Sequence, residues 1–313
     1  MAFQVKNVAL VGNHLSTRPD LSFRVSVVTR KDSSTEFPAS FNVIRTDYSP
    51  ESLEQSFKGQ DAVVMLLPPE SSVRHQTVID AARRAGVKRF FPSEFGVRTN
   101  HPAFHDNVVL CKKKWSHLKH LEKTQDVMSW TAIFCNPWID HYVIDGLIGI
   151  YLEPKVARIY TGGNVPFSTG TRDLVPKVLT EILSTPEHME DTKNKFIHLA
   201  SYTTTQNEVL EIVEKLTGDK FEVQRLKSEE VLPQALEDVE RGINMGLGVQ
   251  VQATLFNWDS NGESIGDFRP AGIWNDRLDL PKSSPEEDLK GPLAGNWRGI
   301  VHWQGETLPD YSV

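Results

Sequence analysis

The sequence predicts an α/β protein with a doubly wound parallel sheet in its first part and a smaller α+β lobe after it. Three observations carry that expectation. Short, β-branched apolar runs recur at 8–12, 23–29, 42–46, 62–67, 88–91 and 130–135. Helical patterns lie between several of them, and strands alternating with helices imply a parallel sheet covered on both faces. After Pro137 the alternation stops.

Taken in order, the first run (VALVG) ends at Gly12, and the second (FRVSVVT) ends at Arg30-Lys31. Ten residues, 13–22, separate them. A parallel crossover must retrace a five-residue strand, about 16 Å at ~3.3 Å per residue. Ten residues of α-helix span only ~15 Å, which leaves nothing for two turns. Pro19 also interrupts any helix through the segment. The first crossover helix is therefore expected to be shortened or missing.

Further along, Ser49-Pro50 pairs a capping hydroxyl with a proline suited to the first helical position. The pattern at 72–85 predicts another helix, closed by Gly86. Beyond Pro137, a helix is expected at 172–183, and Thr205-x-x-Glu208 forms a capping box opening 208–216. The stretch 257–282, rich in Gly, Asp, Asn and Trp, predicts irregular chain of the kind that determines substrate choice. These patterns divide the chain into a nucleotide-binding part, 1–140, and a substrate lobe, 141–313, some elements of which return to the first sheet.

Composition narrows the function. The 313 residues are 39% hydrophobic and 24% charged, as in ordinary globular proteins. A net charge of −7 provides no basic field for nucleic acid. No apolar stretch reaches the ~20 residues of a membrane span, and the N-terminus lacks a signal-peptide layout. Cys111 and Cys135 have neither zinc nor redox spacing. The expectation is a cytoplasmic protein with no metal, no membrane and no nucleic-acid partner.

A dinucleotide site needs glycines that admit the pyrophosphate and a residue after the second strand that reads the ribose. Of the glycines, only Gly12 is in place. At the second position, Arg30 and Lys31 stand where a carboxylate would read NAD, and two cations favour the 2′-phosphate of NADP. A solvated turn is the other reading of the same pair.

KRFFPSEFG at 88–96, preceded by IDAARRAGV, is a specific signal. Together with VTRKDS (28–33), SLEQSFKGQDAVVMLLPP (52–69) and SWTAIFCNPWID (129–140), it resembles the isoflavone reductase-like branch of the NmrA-like proteins, atypical short-chain dehydrogenases. The resemblance covers residues 5 to about 220 well. It implies a Rossmann-like fold, NADPH, and reduction of aromatic or phenolic small molecules. The chain departs from the family where a glycine-rich loop and helix should follow the first strand.

The resemblance also implies a catalytic lysine on the helix after FPSEFG. Lys112, Lys113 and Lys114 are adjacent candidates. At about 100° per residue, Cys111, Trp115, Leu118 and Leu121 form one apolar stripe, and Lys114 falls inside it. Lys114 is the catalytic candidate, with a snorkelling lysine at the core edge as the plainer reading. Gly12, Arg30, Lys31, Leu67, Pro68 and Phe95 are expected at the cofactor. Pro137, Trp138 and His141 are expected at the substrate.

Other residues compete. Tyr151 and Lys155 have the spacing of typical short-chain dehydrogenases, but Pro154 disrupts the helical turn that pair requires. His117 and His120 are expected on a helix surface, Gln76 either towards the fourth-strand loop or on the surface, and Glu94 either in the site or in a turn. The expected function is an NADPH-dependent reductase of an aromatic or polyketide-like molecule. Two alternatives remain open: a nucleotide-sensing regulator with a protein partner, and a reductase-derived protein with redox-neutral chemistry.

Overall fold

A computed structural model describes residues 4–11, 23–68 and 72–296. Gly12 and the short first crossover, 13–22, lie outside the described residues. The first part runs β1 (Asn7–Val11), β2 (Arg24–Arg30), β3 (Asn42–Thr46), α1 (Pro50–Phe57), β4 (Ala62–Met65), α2 (Ser72–Arg84) and β5 (Arg89–Phe91). It continues with α3 (Pro102–Asn107), α4 (Val109–Glu122) and β6 (Ser129–Phe134). After these come α5 (Ile139–Asp145), β7 (Ile150–Tyr151), β8 (Val156–Tyr160), β9 (Phe167–Thr169), α6 (Leu174–Ser184), α7 (Pro186–Asp191) and β10 (Lys195–His198). The chain then forms β11 (Tyr202–Thr204), α8 (Gln206–Thr217), β12 (Glu222–Leu226), α9 (Ser228–Glu240), α10 (Met245–Leu255) and α11 (Pro285–Leu293).

Two compact units divide this list. The first comprises Met1–Phe95, Lys113–Ile133 and Val175–Ile197. A seven-stranded sheet has the order β10-β6-β5-β4-β1-β2-β3. The pairs β1–β2, β2–β3, β1–β4, β4–β5 and β5–β6 are all parallel, with Val8 opposite both Val25 and Ala62. The α/β class is therefore as the apolar runs predict. Strands buried on both faces read as continuous apolar stretches: Val8–Val11 and Ala62–Met65 are buried throughout. Strand order reverses between β1 and β4, so the crevice at their carboxyl ends is the switch point at which such sheets bind ligands.

Local signals hold where they can be read. Ser49 caps α1 by accepting from the Ser52 amide, and Gly86 follows α2 with φ +82°. Arg89 is 3% exposed in the first unit. Its guanidinium donates to Ser129 and Thr131 at 2.9 Å each, to Thr192 at 3.2 Å, and to the Met189 carbonyl. This network ties β5 and β6 to α7 and to Thr192, which follows it.

The second unit comprises Gly96–Lys112, Phe134–Leu174 and His198–Val313. It holds a three-stranded sheet, β12-β8-β7, and the antiparallel pair β9–β11. Tyr160, Phe167, Phe256, Val213 and Val249 are among its core residues. The Thr205 capping box opens α8 as its spacing predicts. Residues 257–282 contain no α-helix or extended strand, only turns, isolated β-bridges at Trp258–Ser264 and His198–Ile273, and one 3₁₀ turn, Asn275–Leu278. Tyr151 lies in β7 and Lys155 pairs with Asp219 at 2.7 Å, so their spacing marks no helical pair.

Candidate functional site

In the first unit, the site is built at the carboxyl end of β4. After Met65 the chain leaves the sheet through Leu66-Leu67-Pro68, and two carbonyls there are claimed by side chains. Ser93 Oγ, from FPSEFG, donates to Leu67 O at 2.8 Å. His75 Nε2, from the first turn of α2, lies 3.0 Å from Pro68 O. A carbonyl can only accept, so Nε2 carries the proton.

A third bond closes the arrangement. Lys114 Nζ donates to Glu94 O at 2.9 Å, joining α4 to the turn that follows β5. Lys112 and Lys113 are exposed, whereas Lys114 is half-buried. Phe95 is buried and holds φ +27°, a conformation that bulky residues rarely adopt and that clusters at functional sites. Glu94 is buried too, and its backbone carbonyl is the group that meets the lysine.

His75 is 1% exposed, and its ring centroid lies 4.6 Å from that of His117. Burial lowers its pKa to about 4, helped by the neighbouring charges of His117 and Lys114, so it is neutral at pH 7. His117 itself is buried, which corrects its expected place on the helix surface. It follows Lys114 by three residues and so shares the inward stripe. His120 is partly exposed and bonds Asp80 at 2.9 Å. Gln76 is on the surface, and its neighbour His75 is the residue that meets the fourth-strand loop. A signal for this was present, because His75, Val78, Ile79 and Ala82 recur at helical spacing.

The donor set fits a phosphorylated dinucleotide at the ribose end. Arg30 closes β2 with its side chain 60% exposed, and its Nε stands 3.8 Å from Asp32, beyond hydrogen-bond reach. A guanidinium can take a phosphate in a bidentate grip. Lys31 is engaged with Asp47 at 2.9 Å. The Ser49 and Lys31 side chains hold that carboxyl well below the usual range, so it is ionised. Gly12 lies outside the described residues, and the pyrophosphate end of the fit with it.

The second unit holds the expected substrate residues. Pro137 is buried and its carbonyl accepts from Thr169 Oγ1 at 2.5 Å. Trp138 is half-buried, with Nε1 donating to Cys135 Sγ at 3.1 Å. Its ring stacks on Tyr142 at 6.0 Å, and His141, 6% exposed, meets Tyr142 edge-on at 4.9 Å. These rings form one aromatic group at the start of α5. Just before it, buried Asn136 takes φ +54° and donates to Ser168 O and Gly266 O at 2.8 and 2.7 Å. His198 is 7% exposed, with its ring centroid 5.6 Å from that of Phe134 and 5.0 Å from that of Phe268. Burial and the Arg98 charge lower its pKa to about 4. Asn136 precedes Pro137 and Trp138 in the NPW stretch that sequence reasoning places at the pocket, whereas His198 is not singled out by sequence reasoning.

Among the described residues there is no group of three or more His, Cys, Asp or Glu able to hold a metal ion, and no helix long and apolar enough to cross a membrane.

A family model described as NAD(P)H-binding matches residues 10–133. The chain is 30% identical over 291 residues to oxidoreductase aprR of Aspergillus flavus, covering 91% of this chain and 96% of that protein. It is 26% identical to an isoflavone reductase homologue of Zea mays, over 61% of this chain and 62% of the other. The complex of Vitis vinifera leucoanthocyanidin reductase with NADPH superposes with a TM-score of 0.66 at 18% identity, covering 92% of this chain and 99% of that one. The chain belongs to the isoflavone reductase-like branch of the NmrA-like proteins, a family of NAD(P)H-binding oxidoreductases.

Proposed function

We propose that this chain is an NADPH-dependent reductase of an aromatic or polyketide-like small molecule, with Lys114 as its general acid or base. The observation that carries the reading is the Lys114–Glu94 bond at 2.9 Å. Of three consecutive lysines it singles out the half-buried one, and it fixes that ammonium at the turn beside the switch point. NADPH supplies the hydride when bound. Arg30 would hold its 2′-phosphate, with Lys31 adding positive charge, and Gly12 would admit its pyrophosphate. Leu67, Pro68 and Phe95 would enclose the nicotinamide. Lys114 Nζ would donate a proton to the substrate oxygen that gains negative charge as hydride arrives, or take one in the reverse direction.

In this reading residues 1–140 carry the cofactor and 141–313 the substrate, with Pro137, Trp138 and His141 offering aromatic and apolar contact. A second reading, a nucleotide-sensing regulator that binds a protein partner, is favoured by the ten residues between Gly12 and Phe23. The test follows NADPH oxidation against a panel of aromatic enones and ketones. Lys114→Ala is expected to lower turnover at least about tenfold, and Lys113→Ala to leave it unchanged. Equal turnover in the two variants removes Lys114 from the mechanism.

A further inference from the structure

We propose that His75 is a positioning residue for the cofactor, acting through the Leu67–Pro68 backbone rather than by touching the reacting atoms. This rests on the NADPH reading above and adds a residue to the same site.

The argument begins with the exposure of the loop. Leu66–Pro68 is the exit of β4, on one side of the switch point, and Pro68 is exposed. Pro68 has no amide hydrogen, so it can offer the rest of the protein only a carbonyl. Left alone, that carbonyl would face water and the loop could rotate. His75 removes the freedom by donating Nε2–H to Pro68 O at 3.0 Å, while Ser93 fixes the preceding carbonyl, Leu67 O, at 2.8 Å. Two consecutive carbonyls are thus pinned by side chains from different elements, α2 and the turn after β5.

His75 suits this task better than a flexible donor would. It is 1% exposed, and the ring of His117 lies against it at 4.6 Å with a 46° tilt. A ring so enclosed keeps one orientation, so its hydrogen bond spends little conformational entropy when ligand arrives. His117 stands three residues after Lys114 on α4. The same two helices therefore place the proton-transfer candidate and the support of the loop. Lys114 bonds Glu94 O, the residue after Ser93, so a third side-chain bond links α4 to the turn whose serine holds the exit of β4.

A donor that only holds the fold would alter stability and nothing else. One that sets the loop alters the affinity for NADPH, and a replacement that restores the hydrogen bond restores that affinity. The experiment measures NADPH affinity by quenching of tryptophan fluorescence in the full chain, with melting temperature recorded beside it. His75→Leu keeps the bulk and deletes the donor, and is expected to raise Kd for NADPH about fivefold. KM for NADPH should rise in step while kcat changes less than about twofold. His75→Gln, whose amide can still donate, is expected to stay within about twofold of the native Kd. Should His75→Leu not fold, His75→Asn takes its place, since it is polar but too short to reach Pro68 O, and the same loss is expected. A lowered melting temperature with unchanged Kd in the donor-deleted variant overturns the inference alone. Native protein that binds no NADPH overturns both this inference and the reductase reading.

Discussion

Acid should destabilise this protein through His198, and the size of the effect follows from its surroundings. The ring is 7% exposed between Phe134 and Phe268, and burial first, then the Arg98 charge, lowers its pKa from 6.5 to about 4. Between those values the folded protein keeps His198 neutral while the unfolded chain takes up a proton. The unfolded state then binds more protons, so stability rises with pH across the window and is lost as pH falls. Going from pH 7 to pH 5 costs about 2 kcal/mol from this one residue, out of about 3 kcal/mol for the full shift. His75 has the same sign and the same window, and adds a comparable amount. Urea unfolding followed by tryptophan fluorescence at pH 7 and pH 5 measures the loss. His198→Leu removes one titration while filling similar space, so its loss between the two pH values should be smaller than the native one by about 2 kcal/mol. An identical pH dependence in variant and native protein refutes the account of a neutral, buried His198.

Two further substitutions test separate parts of the structure. Arg30→Ala should raise Kd for NADPH about tenfold and leave that for NADH unchanged, because only the 2′-phosphate meets the guanidinium, and paired titrations of the two cofactors check it. Arg89→Met should lower stability by about 3 kcal/mol in chemical unfolding, because it takes the guanidinium donor away from the Met189 carbonyl and from the Ser129, Thr131 and Thr192 oxygens, although each hydroxyl keeps its own bond to a carbonyl.

Much of the sheet was legible in the sequence because central parallel strands are buried on both faces. VALV and AVVM have no polar residue to interrupt them, and the expected runs 8–12 and 62–67 fall within one or two residues of β1 and β4. The seventh strand, KFIH, is four residues long, begins with a lysine and sits at the sheet edge, so no alternation or apolar run marks it. The short strands of the second unit are hidden for the same reason. At the site, the apolar stripe around Lys114 distinguishes it from Lys112 and Lys113 in the sequence itself. That same stripe contains His117, yet a histidine at helical spacing reads equally as surface or core until a facing residue is known. Its facing residue, His75, comes from a helix some forty positions earlier. No local pattern announces that encounter, nor does one announce that Ser93 and His75 bond to neighbouring carbonyls.

The central claim is that this chain binds NADPH at the switch point between β1 and β4. Titration of the purified protein with NADPH, followed by tryptophan quenching and by thermal shift, tests it most directly. Saturable binding below millimolar concentration, with a rise in melting temperature and weaker binding of NADH, is the predicted result. Absence of any response at millimolar NADPH would contradict it.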